Sequence, residues 1–444
     1  MKTNFLTFLA LLYLSISFSQ EKPNSYSLEE AINFALENNY SAINASRDII
    51  DAQKQKWETI ASGLPQINGA ISYQNQLKQP VSLLPGELAG GEPGTFIPVV
   101  FGQKQQVTAT ATLSQQIFDG SYIVGVQAAK TFISYSANNK EKTAIEVKKA
   151  VVQAYGNVLL AKESVQILEN NIQTLEKNLF ETQKIFENGL GDEESVEQLQ
   201  ITLSSVQNQL KNATRLKEIT LQMLNLTMGI ATDSPTVLTE NLDDLAQKQT
   251  DLSLLESEFD IKNNVDYKLA LNLNDQRYFE LKLQKSKALP TLNAFVNYGS
   301  SSFSDDFDFL SNDSEWYDSS ILGFDLNIPI FSSLKRSAST QRAKIALEKA
   351  KTQLTEAEEQ IRLQLEQSKS NYILAIEQYE TNKQNLSLAE RIEKKNQIKY
   401  SEGIATSFEL RQAQLQLYDA QNTYLQSMVD VINTKTELET VLNN

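Results

Sequence analysis

From Phe118 to Gly189 the sequence offers almost nothing that would stop a helix. Between Asp119 and Asn188 there is no proline, and the glycines are Gly120, Gly125 and Gly156. Val151, Tyr155, Val158, Val165, Leu168, Ile172, Leu175, Leu179 and Phe186 follow one another in steps of three, four and seven, the spacing of a helix that packs along a seam. About 70 helical residues at ~1.5 Å rise make a rod of roughly 105 Å. That is several times the length of an ordinary globular helix, so a compact core does not explain it. A coiled coil, a helical barrel or a spacer does.

Composition narrows the chemistry. The 444 residues include no Cys and no His, which removes Cys/His zinc sites, Ser-His-Asp and Cys-His catalysis, and disulfides. A net charge of −15 argues against nucleic acid as a partner. Residues 1–19 read as a signal peptide: Lys2 supplies the positive start, Phe5 to Leu14 the apolar run, and Ser17 and Ser19 the small residues before a cut at Gln20. That run is too short to span a bilayer, and no later run approaches the ~18 apolar residues of a membrane helix. The expectation is an exported chain without a transmembrane helix.

The chain is duplicated. Asn38-Asn39 recurs as Asn263-Asn264, and Leu64-Pro65-Gln-Ile-Asn68 as Leu289-Pro290-Thr-Leu-Asn293, both at an offset of 225. Ile117-Phe118 recurs as Ile330-Phe331 at offset 213, and Phe186-x-x-Gly189-Leu190 as Tyr400-x-x-Gly403-Ile404 at offset 214. The change of offset places 12 extra residues in the first copy, inside the Gly- and Pro-rich segment 78–106, a surface loop where length changes are cheap. The expected organisation is a first repeat over 20–229, a linker over 230–262, and a second repeat over 263–444 with its own loop at 299–319.

After each Leu-Pro the period changes to two. Ile67, Gly69, Ile71 and Tyr73 alternate with Asn68, Ala70, Ser72 and Gln74; Leu292, Ala294, Val296 and Tyr298 keep the same phase. Before each Ile-Phe a second strand alternates: Val107, Ala109, Ala111 and Leu113 against Thr108, Thr110, Thr112 and Ser114, then Leu322, Phe324, Leu326 and Ile328 against Gly323, Asp325 and Asn327. Each strand is roughly 10 residues, the length of a tilted strand crossing a bilayer. One face is apolar and the other carries Thr, Ser, Gln and Asn, as a water-filled lumen would. Four strands cannot close a barrel, since the smallest bilayer form has about eight, and an open edge cannot sit in lipid. Membrane-spanning strands therefore require several chains around one barrel.

Gly189 and Gly403 end the two long helices where a left-handed residue is wanted. Asp192 is placed to cap the returning helix of the first copy, and Thr406-x-x-Glu409 is a capping box for the second. Leu410, Ala413, Leu417, Ala420, Tyr424, Ser427, Val431, Thr434 and Leu438 then keep a seam in steps of three and four. Each copy is a long helical hairpin with a tight tip. The helices over about 27–63 and 192–228 are each near half the length of the long one, so that end to end they would match it.

Tyr26-Ser27-Leu28-Glu29-Glu30-Ala31, the Leu-Pro before the strands, the Ile-Phe after them and the Gly-Leu and Gly-Ile tips resemble the TolC-like outer-membrane efflux protein family. The resemblance implies an α+β membrane protein: long helical hairpins forming a periplasmic helical barrel, plus four transmembrane β-strands per chain contributing to a β-barrel shared by a homotrimer in the bacterial outer membrane. It implies an exit duct of a tripartite efflux or type I secretion system, without a cofactor and without enzymatic chemistry. Outer-membrane lipid, a periplasmic adaptor (membrane fusion) protein and an inner-membrane pump of RND or ABC type are the implied partners. The tips Gly189, Leu190 and Gly191, and Gly403, Ile404, Ala405 and Thr406, match the positions that meet the adaptor. Glu409 and Gln412 match the positions of the acidic residues lining the closed entrance, with Gln412 departing from that pattern. As a capping-box residue Glu409 also has a purely structural role, and Glu193 and Glu194 suit the first turn of a helix on dipole grounds.

Two other readings fit the sequence less well. A soluble periplasmic coiled-coil adaptor or spacer would show one hairpin flanked by globular β-domains; this chain shows two hairpins. A glycosidase would need a carboxylate pair in a pocket, and here the acids spread over solvent-facing helix surfaces. The acidic segment with Asp305, Asp306, Asp308, Asp313 and Glu315 reads as a solvated loop, with a divalent cation as the alternative.

Overall fold

The computed structural model describes residues 25–443, so the expected signal peptide lies outside the described residues. The elements in order are β1 (Ser25–Tyr26), α1 (Leu28–Asn38), α2 (Tyr40–Ala61), β2 (Gln66–Asn75), β3 (Val81–Pro85), β4 (Phe96–Val100), β5 (Gln105–Asp119), α3 (Gly120–Glu187) and α4 (Glu193–Met228). There follow β6 (Val237–Leu238), α5 (Leu242–Lys248), α6 (Val265–Ser286), β7 (Thr291–Ser304), β8 (Tyr317–Asn327), α7 (Lys335–Ser401) and α8 (Ser407–Leu442). The copies match closely in length: α2 and α6 have 22 residues each, α3 and α7 have 68 and 67, and α4 and α8 have 36 each. No helix among the described residues is long and apolar enough to cross a membrane.

The chain divides into two compact units, and each draws on both halves of the sequence. One unit takes Ile50–Tyr135 and Leu271–Gln353. Its centre is a four-stranded antiparallel sheet of order β2-β5-β7-β8. The register aligns the apolar phase across the sheet: Ile67 faces Leu113, Leu113 faces Val296, and Val296 faces Leu322. Along β8 that phase is exposed, with Leu322, Phe324 and Leu326 each 60% or more accessible. The other face is polar and cross-linked between strands. Asn297 donates to Thr112 Oγ1 at 2.7 Å, and the Thr108 and Ser301 hydroxyls lie 3.1 Å apart. Phe295, an aromatic on that polar face, lies over Gly323, where any side chain would collide with its ring. β2 and β8 are edges, and β2 is exposed along its whole length.

The sheet differs from the sequence expectation at four places. β5 and β7 have 15 and 14 residues, longer than the expected ten. β7 runs to Ser304 and β8 starts at Tyr317, so the connection is 305–316 rather than 299–319. Within 78–106, read from its glycines and prolines as plain loop, β3 and β4 pair as a separate antiparallel hairpin, with Leu83 opposite Pro98 and Pro85 opposite Phe96. A proline is tolerated there because a two-stranded ribbon is all edge. Finally, β5 passes directly into α3, where the Asp119 carboxylate accepts from Ser121 N–H at 2.7 Å. In the second copy β8 stops before the Ile-Phe. Ser333 and Leu334 both adopt left-handed backbone, and the Arg336 guanidinium donates to the carbonyls of Pro329 (2.6 Å) and Ile330 (3.2 Å).

The other unit holds residues 25–49, 136–270 and 354–443. Its core gathers Val151, Tyr155 and Leu159 of α3, Leu224 and Met228 of α4, Tyr372 and Tyr379 of α7, and Val431, Ile432 and Leu438 of α8. Against these pack Ala31 and Ala35 of α1 and Leu242, Leu245 and Ala246 of α5. Burial pushes the Tyr155 and Tyr372 hydroxyls up to about 12. Both donate to carbonyls: Tyr155 to Tyr26 at 3.0 Å, Tyr372 to Gln249 and Asp251 at 2.7 and 2.9 Å. The segment expected as linker is thus built into this core. β1 pairs in parallel with β6, and a 3₁₀ turn forms at Leu252–Glu256.

The repeated Asn-Asn has a physical reason. Asn39 interrupts the helix expected over 27–63: its backbone is extended, and its side-chain oxygen accepts from Ser41 N–H at 2.8 Å, starting α2. Its amide donates to the carbonyl of Thr227, at the end of α4, at 2.7 Å. Asn264 repeats the arrangement, accepting from Asp266 N–H at 3.0 Å and donating to the carbonyl of Val441, at the end of α8, at 3.0 Å. One side chain caps one helix and satisfies a terminal carbonyl of another.

Candidate functional site

The hairpin tips are formed by closely similar backbone. α3 ends at Glu187; Gly189 has φ +72°, and Leu190 N–H reaches back to the carbonyl of Ile185 at 3.0 Å. α7 ends at Ser401; Gly403 has φ +70°, and Ile404 N–H reaches the carbonyl of Lys399 at 2.8 Å. Both are the six-to-one bond of a helix closed by a left-handed residue. This leaves two apolar side chains with nothing to pack on: Leu190 is 82% accessible and Ile404 74%. Gly191, Gly403 and Thr406 are exposed, and Ala405 is half-buried.

The returning helices start differently. Asp192 accepts from Ser195 N–H at 2.7 Å and from the Ser195 hydroxyl at 3.0 Å. In the second copy the box is complete: Glu409 N–H donates to Thr406 Oγ1 at 3.2 Å, and Thr406 N–H donates to Glu409 Oε2 at 2.8 Å. Donation from the Ser195 backbone to Asp192, and from the Thr406 backbone to Glu409, holds both carboxyls below the usual carboxylate range. Gln412 is exposed three residues on, one turn along the same side of α8. The tips also touch: the Ser195 and Ser407 hydroxyls lie 2.8 Å apart.

Beyond the tips, the seam between helices changes character. Asn171 donates to Gln421 at 2.9 Å, Gln397 donates to Asn178 at 3.2 Å, and the Thr182 and Tyr400 hydroxyls lie 2.7 Å apart. Gln414 is only 1% accessible, yet neither atom of its amide has a partner. Burial raises the Glu393 carboxyl above its ordinary range, and burial beside Glu393 raises the Tyr418 hydroxyl. The apolar cluster here is small: Leu175, Leu199 and Val206, with Leu168, Ile172, Leu179, Leu203 and Tyr418 around it. The sequence reading picked out the apolar seam and passed over its polar members. Their signal is present as heptad spacing, Asn171 to Asn178 on α3 and Gln414 to Gln421 on α8. The link from Ser195 to Ser407 leaves no trace in the sequence.

Among the described residues no group of three or more acidic side chains is placed to hold a metal ion, so the acidic segment after β7 gathers no such site. Its ordered contacts are structural. The Asp305 carboxylate accepts from Lys104 N–H at 3.0 Å, and Phe307 and Phe309 pack edge-on to one another and to Tyr73. What the tips offer is exposed apolar contact, carboxylates close to a helix start, and a weakly packed polar seam behind them.

Residues 269–444 match the family model described as outer membrane efflux protein. No curated protein matches the chain. Three solved structures share its fold over nearly their whole length. The CmeC outer membrane channel of Campylobacter jejuni is 17% identical, with 96% of this chain and 90% of that one covered and a TM-score of 0.72. The outer membrane protein VceC of Vibrio cholerae is 16% identical, with 94% and 96% covered and a TM-score of 0.70. The MtrE outer membrane channel of Neisseria gonorrhoeae, solved in an open state, is 16% identical, with 94% and 89% covered and a TM-score of 0.70. By sequence residues 269–444 resemble the outer membrane efflux proteins, and the chain as a whole shares the fold of these three solved structures.

Proposed function

We infer that this chain, whose residues 269–444 match the outer membrane efflux protein model, is one stave of a passive trimeric exit duct in the bacterial outer membrane. The observation that carries the reading is the sheet β2-β5-β7-β8: four antiparallel strands, one apolar face in register across them, and two unpaired edges. Unpaired backbone N–H and C=O groups cannot stay in hydrocarbon. Pairing β8 of one copy with β2 of the next satisfies both edges, and three copies close a barrel of the usual bilayer size. The apolar face then meets lipid, and the Thr, Ser and Asn face lines water. The long helices are the periplasmic part of the duct.

The duct does no chemistry. Cargo arrives from an inner-membrane pump through a periplasmic adaptor, which docks on the tips through Leu190 and Ile404 beside Gly189, Gly191, Gly403, Ala405 and Thr406. Glu409, with Gln412 one turn on, narrows the entrance. Three copies of Glu409, ionised well below neutral pH, form a ring that attracts and holds cations. Opening separates the hairpins where the seam is polar and least packed. The repeats divide as 20–229 and 263–444, joined through 230–262.

Fractionation of cells tests the reading. Heat-modifiable trimers in the outer membrane support it; recovery of the folded chain from the soluble periplasm defeats it in favour of an adaptor or spacer. In planar bilayers Glu409→Ala should raise basal conductance and weaken block by divalent cations. Unchanged conductance and block would remove Glu409 from the gate.

A further inference from the structure

The chain carries a net charge of −15, yet the helical segments flanking the second pair of strands are strongly basic. Residues 277–287, at the end of α6, and 335–351, at the start of α7, hold ten basic side chains against two acidic ones, Glu280 and Glu348. The matching segments of the first copy, 52–62 and 122–138, hold three basic and one acidic. Acids return just outside the basic stretch, at Asp275 on α6 and at Glu356 on α7. Within it, Arg277 pairs with Glu280 at 2.8 Å and Lys351 with Glu348 at 3.2 Å; the remaining basic groups have no carboxylate partner among the described residues. Arg277, Arg342 and Lys349 also line a cavity of 470 Å³ between α6 and α7, which Glu280 enters as its one acid.

Position and direction say what such charge can meet. Lys285 and Lys287 stand just before β7, and Lys335 and Arg336 follow the apolar end of β8 closely. Between β8 and α7 lie Ile330, Phe331 and Leu334, which are 87%, 82% and 75% accessible. An apolar stretch followed at once by cations is the order found where protein leaves hydrocarbon for the headgroup layer. Arg342 and Lys344 are two residues apart, so they lie on roughly opposite sides of α7. The Debye length in physiological salt, about 8 Å, is close to the diameter of a helix. The lipid-facing side is therefore positive however α7 is turned.

We propose that this basic collar binds the phosphates of anionic phospholipid headgroups in the periplasm-facing leaflet. It gives the second copy a grip on the membrane that the first copy lacks. The proposal rests on the exit-duct reading, and its test separates the two. Trimers are assembled in phosphatidylcholine, then offered phosphatidylglycerol or inorganic phosphate, and bound molecules are counted by native mass spectrometry. Wild-type trimers should retain phosphatidylglycerol over phosphatidylcholine. The triple variant Lys335→Gln, Arg342→Gln, Lys344→Gln should lose that retention by about tenfold or more. Lys54→Gln with Lys56→Gln, in the first copy, should leave it unchanged. Three results overturn the collar: no preference for phosphatidylglycerol, equal retention by the triple variant, or inorganic phosphate taken up as readily as lipid. Wild-type chain that forms no trimer in phosphatidylcholine overturns the duct reading and the collar with it. Trimers without headgroup preference overturn the collar alone.

Discussion

The three paired helices of the two copies keep the same lengths to within one residue, and the copies differ in how their elements are joined. In the first, strand runs straight into helix at Asp119, and the returning helix ends on Gly229, whose φ is +78°. In the second, an irregular junction with two left-handed residues is tied by Arg336, and the returning helix ends on Asn443, φ +59°. Lengths have to agree because the helices of both copies share one core. Joints have only to satisfy their own carbonyls and amides, and there the copies diverged, as they did in surface charge.

That contrast breaks most sharply at the two helix ends. A side chain at Gly229 would run into the Asn38 carbonyl, so Gly229→Ala combines a left-handed backbone with a backbone collision. The expected loss is on the order of 3 kcal/mol or more, read as a lower melting temperature of the heat-modifiable trimer. Asn443→Gly should cost much less. It keeps the left-handed backbone easily and gives up side-chain bonds to Glu141 (3.0 Å) and Asn263 (2.9 Å). Equal effects would mean that the ends are not individually fitted.

The asparagine clamps come next. Asn39→Ala and Asn264→Ala should each lose about 1–3 kcal/mol, a cap plus a bond to a terminal carbonyl. Asn264 is the more buried, at 4% accessible, and should be the costlier. The reverse order, by thermal melting or limited proteolysis, would deny that the clamps are equivalent. At the tips Gly403→Val should cost about 1–2 kcal/mol, the strain of a left-handed branched residue, with trimers still forming. On the exit-duct reading, crosslinking to an adaptor should fall far more than assembly, and intact crosslinking would take the tip out of the proposed docking surface.

The smallest effect distinguishes a boxed helix start from an unboxed one. Glu409→Ala should lower the melting temperature least of all these changes, by the loss of one half of the capping box. Because its folded carboxyl titrates below the ordinary range, that contribution is present above the unfolded value and lost as pH falls through the folded one. Buried Glu393 has the opposite sign. Its raised carboxyl favours the fold below the ordinary glutamate range, a benefit lost as pH rises through the folded value. Glu393→Gln should therefore stabilise at neutral pH and do nothing in acid.

Periodicity carried the long elements. Apolar steps in α3 and α8, alternation in β2 and β7, and glycines at both tips are local signals that one stretch of sequence can show. The β3–β4 hairpin was hidden because Pro80, Pro85 and Pro98, with five glycines, mimic a coil, while the ribbon needs no interior amide from them. The break at Asn39 was hidden because an asparagine in a helical pattern looks neutral until its partner, 188 residues away, is known. The candidate site divides the same way. Gly189, Gly403 and the box at Thr406 and Glu409 are written in sequence. The polar seam and the meeting of the two tips depend on which helix lies beside which.

The contact between Ser195 and Ser407 offers an experimental handle. The protein contains no sulfhydryl of its own, and these two hydroxyls already touch. Exchanging both for cysteine would install a reversible staple between the two hairpins of a single subunit, closed by mild oxidant and opened by reductant. On the exit-duct reading proposed above, current through the stapled form would then tell whether opening is a motion inside each subunit or one between neighbours.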